Sequence, residues 1–266
     1  MTMKIGMAQL LVEGGEPERN LERAEKLVRE ATQNGCDLVL LPEVLDLAWT
    51  HPSTWTEAQP IPGRFSDFFA ALARELGIWI CCGLTEKTEN GTYNAALLLD
   101  TQGHIVLKYH KINLLEVEFP FYRVGQKVEV ADTPFGKIGL NICADNYYDS
   151  GLHNAHMLAR MGAQLILSPS SWTVDHSITE EMDPYREKWE KPMSEIARLY
   201  EIPVISVTSV GYIVGGPYEG KKMVGCSLAV DETGILARGE FNEFAGDLKT
   251  VELTLKPVRR KGVQFR

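Results

Sequence analysis

The chain is short of everything that marks a membrane-spanning, nucleic-acid-binding or disulfide-framed protein. No apolar run approaches the roughly 18–20 residues that a helix needs to cross a bilayer. Basic residues are in the minority: 27 Lys and Arg against 36 Asp and Glu leave the 266 residues with a net charge of −9. An excess of positive charge is the footprint of nucleic-acid and anionic-membrane partners, so neither is expected here. Cysteine is sparse. Cys36, Cys81, Cys82, Cys143 and Cys226 are odd in number, scattered, and contain no CxxC pair, which argues against both a disulfide framework and a cysteine-rich zinc site. No stretch rich in Pro, Gly or Ser divides the chain, and no low-complexity tract occurs, so residues 1–266 read as one domain. The first residues enter an apolar strand without the charged start, long apolar stretch and small-residue cleavage site of a signal peptide. A cytoplasmic location with reduced thiols is the expectation.

What is present is a regular alternation of strand-like and helix-like segments. Strands are expected over 4–11, 37–41, 78–85, 93–100 and 105–109, and again over 136–143, 165–167, 203–210, 227–231, 235–238 and 250–255. Helices are expected over 17–34, 66–76, 151–161 and 184–200. Pro17 suits a first helical turn, and Leu21, Ala24, Leu27, Val28 and Ala31 recur at helical spacing. Asp231-Glu232-Thr233-Gly234 has the composition of a hairpin turn. Strands that are apolar throughout need cover on both faces. Two halves of the same element order therefore predict an α/β protein of four layers, α-β-β-α.

Three residues of chemical interest each follow an apolar strand. Glu43 ends Leu40-Leu41-Pro42-Glu43, and Pro42 closes the ladder there. A partly desolvated carboxylate at such an end has a raised pKa and can act as a base near neutral pH. Lys111 ends a run through Lys108-Tyr109-His110, where a cation can stabilise developing negative charge on an oxygen. Cys143 ends Ile138-Gly139-Leu140-Asn141-Ile142, just before small and polar residues. A thiol held exposed at a sheet edge, with backbone N–H groups and a helix start ahead of it, is expected to favour the thiolate. In an open α/β sheet such strand ends share one edge. A base, an electrostatic stabiliser and a nucleophile together are what covalent catalysis requires.

The ordered set of these segments resembles the nitrilase superfamily of carbon–nitrogen hydrolases. The matching stretches are Leu40–Glu43, Tyr109-His110-Lys111-Ile112-Asn113-Leu114 and Gly139 through Asp145. They are joined by Arg160 through Trp172, by Gly225-Cys226-Ser227 with Asp231 and Gly234, and by the opening Lys4–Gln9. The resemblance spans nearly the whole chain. It implies a fold of the four-layer kind and a Glu43–Lys111–Cys143 triad. Glu43 would be the general base, Lys111 the stabiliser of the tetrahedral intermediate, and Cys143 the nucleophile that forms a thioester and releases ammonia or an amine. The Ala144 N–H would be the second oxyanion donor. Glu118 matches a further glutamate of many members and would position the substrate nitrogen or hold Lys111, with Glu116 as its rival. Asn146, Trp172 and Tyr122, with Ala144, are the candidates for substrate contact. No metal or cofactor is implied. The implied partner is a small-molecule amide, and members generally assemble as homodimers or larger oligomers. In this chain that would involve Leu152, Met157, Leu158 and Met161 and the basic tail 257–266.

Several positions depart from the family pattern. Ala144 stands where an aromatic often follows the cysteine, and Asn113 where many members have His. Asp145-Asn146-Tyr147-Tyr148-Asp149 contains no arginine, so no carboxylate clamp is expected there; Arg123 or Arg186 would have to supply one. Trp49, His51, Trp55, Trp172, Tyr185 and Trp189 suggest an aromatic-walled pocket. Within the hydrolase reading, linear amides, small aliphatic or omega-amides, rank ahead of N-carbamoyl compounds and nitriles, and the acyl acceptor need not always be water. Two readings from other classes compete. A zinc hydrolase would use His153 and His156, but the chain has no HExxH. A catalytically silent binding protein would have kept the fold alone.

Overall fold

Apolar alternation and strand ends decide the architecture. The computed structural model describes residues 2–182 and 186–257. In chain order the strands and helices are β1 (Thr2–Leu11), α1 (Pro17–Gln33), β2 (Leu38–Leu40), α2 (Thr54–Glu57), α3 (Arg64–Leu76), β3 (Trp79–Thr88), β4 (Gly91–Leu99), β5 (Ile105–His110), β6 (Val130–Thr133) and β7 (Gly136–Leu140), followed by α4 (His153–Met161), β8 (Leu165–Ser170), β9 (Thr173–Val174), α5 (Lys191–Tyr200), β10 (Val204–Tyr212), β11 (Lys222–Val224), β12 (Leu228–Asp231), β13 (Gly234–Arg238) and β14 (Asp247–Thr254).

The strands form two faces of one folded-over sheet, in the order β5-β4-β3-β2-β1-β10-β8-β7-β6. β1, β2 and β3 are parallel, as are β7, β8 and β10. The halves join where β1 leaves its antiparallel partner β14 and pairs in parallel with β10, Leu10 opposite Ser209 and Leu11 opposite Val210. Ile5, Met7, Leu38, Leu40, Cys81 and Leu98 from the first half meet Ile138, Leu140, Leu165 and Leu167 from the second in one core. The other face of the first half is covered by α1 and α3. At Gly6 an added Cβ would lie 2.9 Å from the Cβ of Ala31, so α1 sits directly on β1. On the second half, α4 packs as closely over Gly139, where a Cβ would lie 2.8 Å from Leu158. With α5 against β10 and β12, the layers are α-β-β-α, as the buried strands predict.

Some boundaries move for local reasons. β7 stops at Leu140 instead of reaching Cys143, which has φ +44° and cannot continue a strand. Gly151 and Leu152 both have positive φ, so α4 starts at His153. The helix expected over 184–200 opens with a π-helical turn, Arg186–Glu190, before α5; Pro184 and Tyr185 lie outside the described residues. β6, β9 and β11 are too short or too polar to show in the pattern. Leu152 and Leu158, expected on an assembly surface, are core residues that pack beneath α4, whereas Met157 and Met161 are exposed on it. Tail residues 258–266 lie outside the described part.

Candidate active site

The C-terminal ends of β2, β5, β7 and β8 share one edge, and the three strand-end residues meet there. Glu43 is placed by backbone contact with β3. Gly83 N–H donates to Pro42 O at 3.0 Å and Leu45 N–H to Gly83 O at 3.0 Å. A Cβ on Gly83 would fall 2.5 Å from Glu43 Cα, so only glycine lets the loop lie this close. The Glu43 N–H then donates to Ser170 O across the junction, at 3.3 Å. This ties the loop that carries the carboxylate of the first half to the end of β8, whose next residue, Ser171, accepts the Cys143 thiol.

Lys111 is buried between two carboxylates. Its Nζ donates to Glu43 Oε1 at 2.8 Å and to both oxygens of Glu118 at 2.9 Å. Glu118 also accepts from Trp49 Nε1 at 2.9 Å and from the Leu115 N–H at 2.8 Å. Asn94 Nδ2 donates to Glu43 Oε1 at 2.6 Å and reaches Glu118 Oε1 at 3.4 Å. Glu43, Asn94, Lys111 and Glu118 are all essentially without solvent contact. Burial pushes the Glu43 carboxyl up, helped by the charge of Glu118 and opposed by Lys111 and Asn94. For Lys111 burial works against the charge, but the two flanking carboxylates outweigh it and hold the ammonium protonated well beyond its ordinary range. Oε2 of Glu43 has no hydrogen-bond partner among the described residues.

Cys143 opens a 3-10 turn, Cys143–Asn146. Asp145 makes that turn rigid and joins it to the lysine segment. Its Oδ2 accepts from the Ile142 N–H at 2.9 Å and from Tyr109 OH at 2.7 Å; its Oδ1 accepts from the Asn113 N–H at 3.0 Å and Nδ2 at 2.7 Å. The residues on both sides of Lys111 are thus bound to the turn that carries the thiol. The Cys143 backbone sits in the left-handed region, which is costly for a residue with a Cβ and persists because these bonds over-determine it. The thiol donates to Ser171 O at 3.6 Å and lies 3.8 Å from Tyr147 OH.

The expectation of an exposed thiolate is corrected. Cys143 is only 3% exposed. Burial, reinforced by the Glu43 carboxylate and only partly offset by Lys111, pushes its thiol up to about 12. At neutral pH Cys143 is therefore a thiol, and it would need a base to act as a nucleophile.

The four residues assigned catalytic roles thus converge, and Glu118, not the exposed Glu116, is the glutamate on Lys111. The candidates for substrate contact divide. Ala144 follows the thiol in the turn, and the opening N–H groups of such a turn have no partner within it. Trp172 lies in the same core cluster as Cys143 and stacks on Trp189 at 4.0 Å between ring centroids, with Tyr147 edge-on to Trp189; its Nε1 is buried without a partner. Asn146 is engaged at both ends of its amide by Asn141 and Ser168. Tyr122 is in a separate cluster with Val44, Trp49, Phe121 and Met223, its hydroxyl taking the Thr50 N–H. The structure therefore brings neither Asn146 nor Tyr122 to the thiol with a free polar group. Arg123 is exposed, its side chain lying along Gly91 at the start of β4; the Arg186 side chain lies outside the described part. Asn94, Asp145 and Gly83 were not singled out from the sequence, and Trp49, which lines a narrow cavity with Glu43 and His51, also donates a hydrogen bond to Glu118. Among the described residues no group of three His, Cys, Asp or Glu is placed to hold a metal ion, and His156 lies 2.9 Å from Tyr200 OH. No helix among them is long and apolar enough to cross a membrane.

The carbon-nitrogen hydrolase family profile matches residues 4–261. A protein named nitrilase from Pyrococcus abyssi is 31% identical over 98% of this chain and 93% of its own length. An omega-amidase from Xenopus laevis is 29% identical over 64% of each chain, so the match spans under two thirds of that protein. Among solved structures, a carbon-nitrogen hydrolase from Helicobacter pylori G27 superposes with a TM-score of 0.85 at 22% identity, covering 96% of this chain and 90% of that one. A mutant amidase from Nesterenkonia, with an acetamide moiety bound covalently to its active-site cysteine, superposes at 0.78 and 19% identity, over 95% and 90% of the two chains.

Proposed function

This chain belongs to the carbon–nitrogen hydrolase family, and from that premise we propose that it hydrolyses the C–N bond of small linear amides through a thioester on Cys143. The observation that carries this reading is the buried Glu43–Lys111–Glu118 cluster beside a protonated thiol. The thiol is a poor nucleophile until its proton leaves, and Glu43, with a raised carboxyl and an unpartnered Oε2, is the base to take it. Sulfur attacks the amide carbon. Lys111 and the Ala144 N–H face the charge that develops on oxygen. Glu43 returns the proton to the leaving nitrogen, and ammonia or an amine departs. Water then attacks the thioester, Glu43 takes its proton, the C–S bond breaks, and the proton passes to sulfur. Glu118 keeps Lys111 charged and in place throughout. A small substrate fits a site crowded by Trp49, Tyr147, Trp172 and Trp189. The cytoplasm and a homo-oligomer, for which Met157 and Met161 offer exposed apolar surface, complete the reading.

Nitrile hydrolysis is the second reading, favoured by the full-length relative named nitrilase; it uses the same thiol and adds a second water. Ammonia release from a panel of short amides, omega-amides, N-carbamoyl compounds and nitriles, measured beside Cys143→Ala, decides between them. Release from amides that vanishes in the variant supports the proposal. Release from nitriles alone replaces it with the second reading, and no release from any compound overturns both.

A further inference from the structure

The turn that carries Cys143 is closed by two amides that face each other. Asn141 Nδ2 donates to Asn146 Oδ1 at 2.6 Å, and Asn146 Nδ2 donates back to Asn141 Oδ1 at 3.1 Å. Asn141 directly follows β7 and Asn146 ends the 3-10 turn, so the pair brackets the nucleophile. Both residues are buried. Apolar side chains would fill the same space without the cost of desolvating two amides, so packing alone does not call for them. What they enclose is strained. Cys143 has φ +44°, a conformation that a residue with a Cβ leaves when it can. Because the peptide unit is planar, rotation about the Cys143 backbone would carry the Ala144 N–H with it and move Sγ as well.

The pair is also anchored outward. Asn146 Nδ2 donates to Ser168 Oγ of β8 at 2.9 Å. Two residues further along β8, the Ser170 carbonyl accepts the Glu43 N–H at 3.3 Å, and the Ser170 hydroxyl accepts from Ser206 Oγ at 2.7 Å. A short path of side-chain bonds and strand therefore runs from the turn of the thiol to the backbone of Glu43. Asp145 ties the same turn to the lysine segment instead.

We propose that Asn141 and Asn146 are positioning residues for the nucleophile. They hold Cys143 in its left-handed conformation and keep its sulfur in register with Glu43. The proposal rests on the thioester reading above. Neither amide meets the reacting atoms; both act through the turn, and Asn146 is a brace and not a substrate contact.

The test compares Asn141→Ala, Asn146→Ala and the double variant with wild type. The substrate is whichever short amide of the panel the wild-type protein turns over fastest, and thermal unfolding gives the folded fraction. The expected result is that kcat per folded molecule falls about 30- to 100-fold in each single variant while KM stays within about twofold. The double variant should be no slower than the singles, because the two amides act as one unit. Ser168→Ala is the mildest change and cuts only the link to β8. It should lower kcat about threefold to tenfold at unchanged KM, which keeps the proposal testable if alanine at 141 or 146 prevents folding. Full turnover per folded molecule with a lowered melting temperature would make the pair structural only. A raised KM at unchanged kcat would make Asn146 a substrate contact, and losses that multiply in the double variant would make the amides independent. Each of these overturns the proposal. A wild-type protein that turns over no compound of the panel fails the hydrolase reading itself, whereas an active wild type beside fully active variants fails only the clamp.

Discussion

The two halves of the site are held in opposite ways. On the first half, Glu43, Asn94, Lys111 and Glu118 form a dense network of short, charge-assisted hydrogen bonds in which each lysine proton and nearly each carboxylate oxygen has a partner. On the second half, the polar contacts of the thiol among the described residues are a carbonyl at 3.6 Å and a phenol at 3.8 Å, and the backbone turn places it. The carboxylate–lysine part is fixed by side chains, the thiol by its main chain. This division suits a reaction in which protons and charge must find prearranged partners, while sulfur must move to form and break a bond.

The largest expected effect concerns the thiol. Because it is pushed up to about 12, Cys143 in the free protein should react with iodoacetamide about a thousandfold more slowly at pH 7 than an ordinary cysteine. Its rate should climb about tenfold per pH unit to beyond pH 10. Site-resolved mass spectrometry measures this, and a plateau near pH 7 would mean that the network lends the thiol much more charge than burial removes.

Breaking the first half should cost stability as well as activity. Lys111→Met leaves Glu43 and Glu118 buried together without a cation. The loss is expected at about 3–5 kcal/mol in denaturant unfolding, with no measurable turnover. Cys143→Ser, by contrast, should abolish turnover with little change in stability, since so little holds the sulfur. Similar stability losses for both variants would erase the contrast.

Asp145 couples the halves, binding Tyr109 and Asn113 on one side and Ile142 on the other. Asp145→Asn turns one of its acceptors into a donor that opposes an N–H or O–H group already there. Turnover is expected to fall about 10- to 100-fold with KM little changed, because the lysine and the thiol lose their mutual register. A lowered melting temperature with full turnover per folded molecule would show Asp145 to be structural only.

These contrasts also mark where sequence reasoning stops. Glu43, Lys111 and Cys143 are legible because each ends an apolar strand, and strand ends of an α/β fold converge. Glu118 needs the family pattern, since nothing local separates it from Glu116; only the fold turns one towards Lys111 and the other to water. Asn94 reads as an ordinary residue of a strand, because its partners lie 51 and 24 positions away. The hydrogen bond of Trp49 is hidden for the same reason, its acceptor being 69 positions distant. The state of the thiol was misread because a strand end says nothing about how many aromatic rings the other loops lay over it. Tyr122 sits close to Glu118 in sequence, but in the fold its hydroxyl faces Thr50, away from the chemistry.

The smallest effect on turnover sits just behind the network. Asp46, three residues after Glu43, is fully buried and accepts from the Thr85 N–H at 2.9 Å and from Thr85 Oγ1 at 3.2 Å. Burial outweighs these bonds and pushes its carboxyl up to about 7. An aspartate in the unfolded chain releases its proton near pH 4, so as pH rises the unfolded state ionises first. This group therefore lowers stability progressively between about pH 4 and pH 7 and adds no further slope above that. Asp46→Asn keeps an acceptor for Thr85 and removes the titration. The stability difference between wild type and variant should shift by about 4 kcal/mol across that window and stay level at higher pH, with turnover nearly unaffected. Urea unfolding at intervals from pH 4 to pH 9 measures it. A difference that stays constant throughout would mean that Asp46 keeps its charge in the folded protein, and that the loop carrying Glu43 is as firmly solvated by hydrogen bonds as the network in front of it.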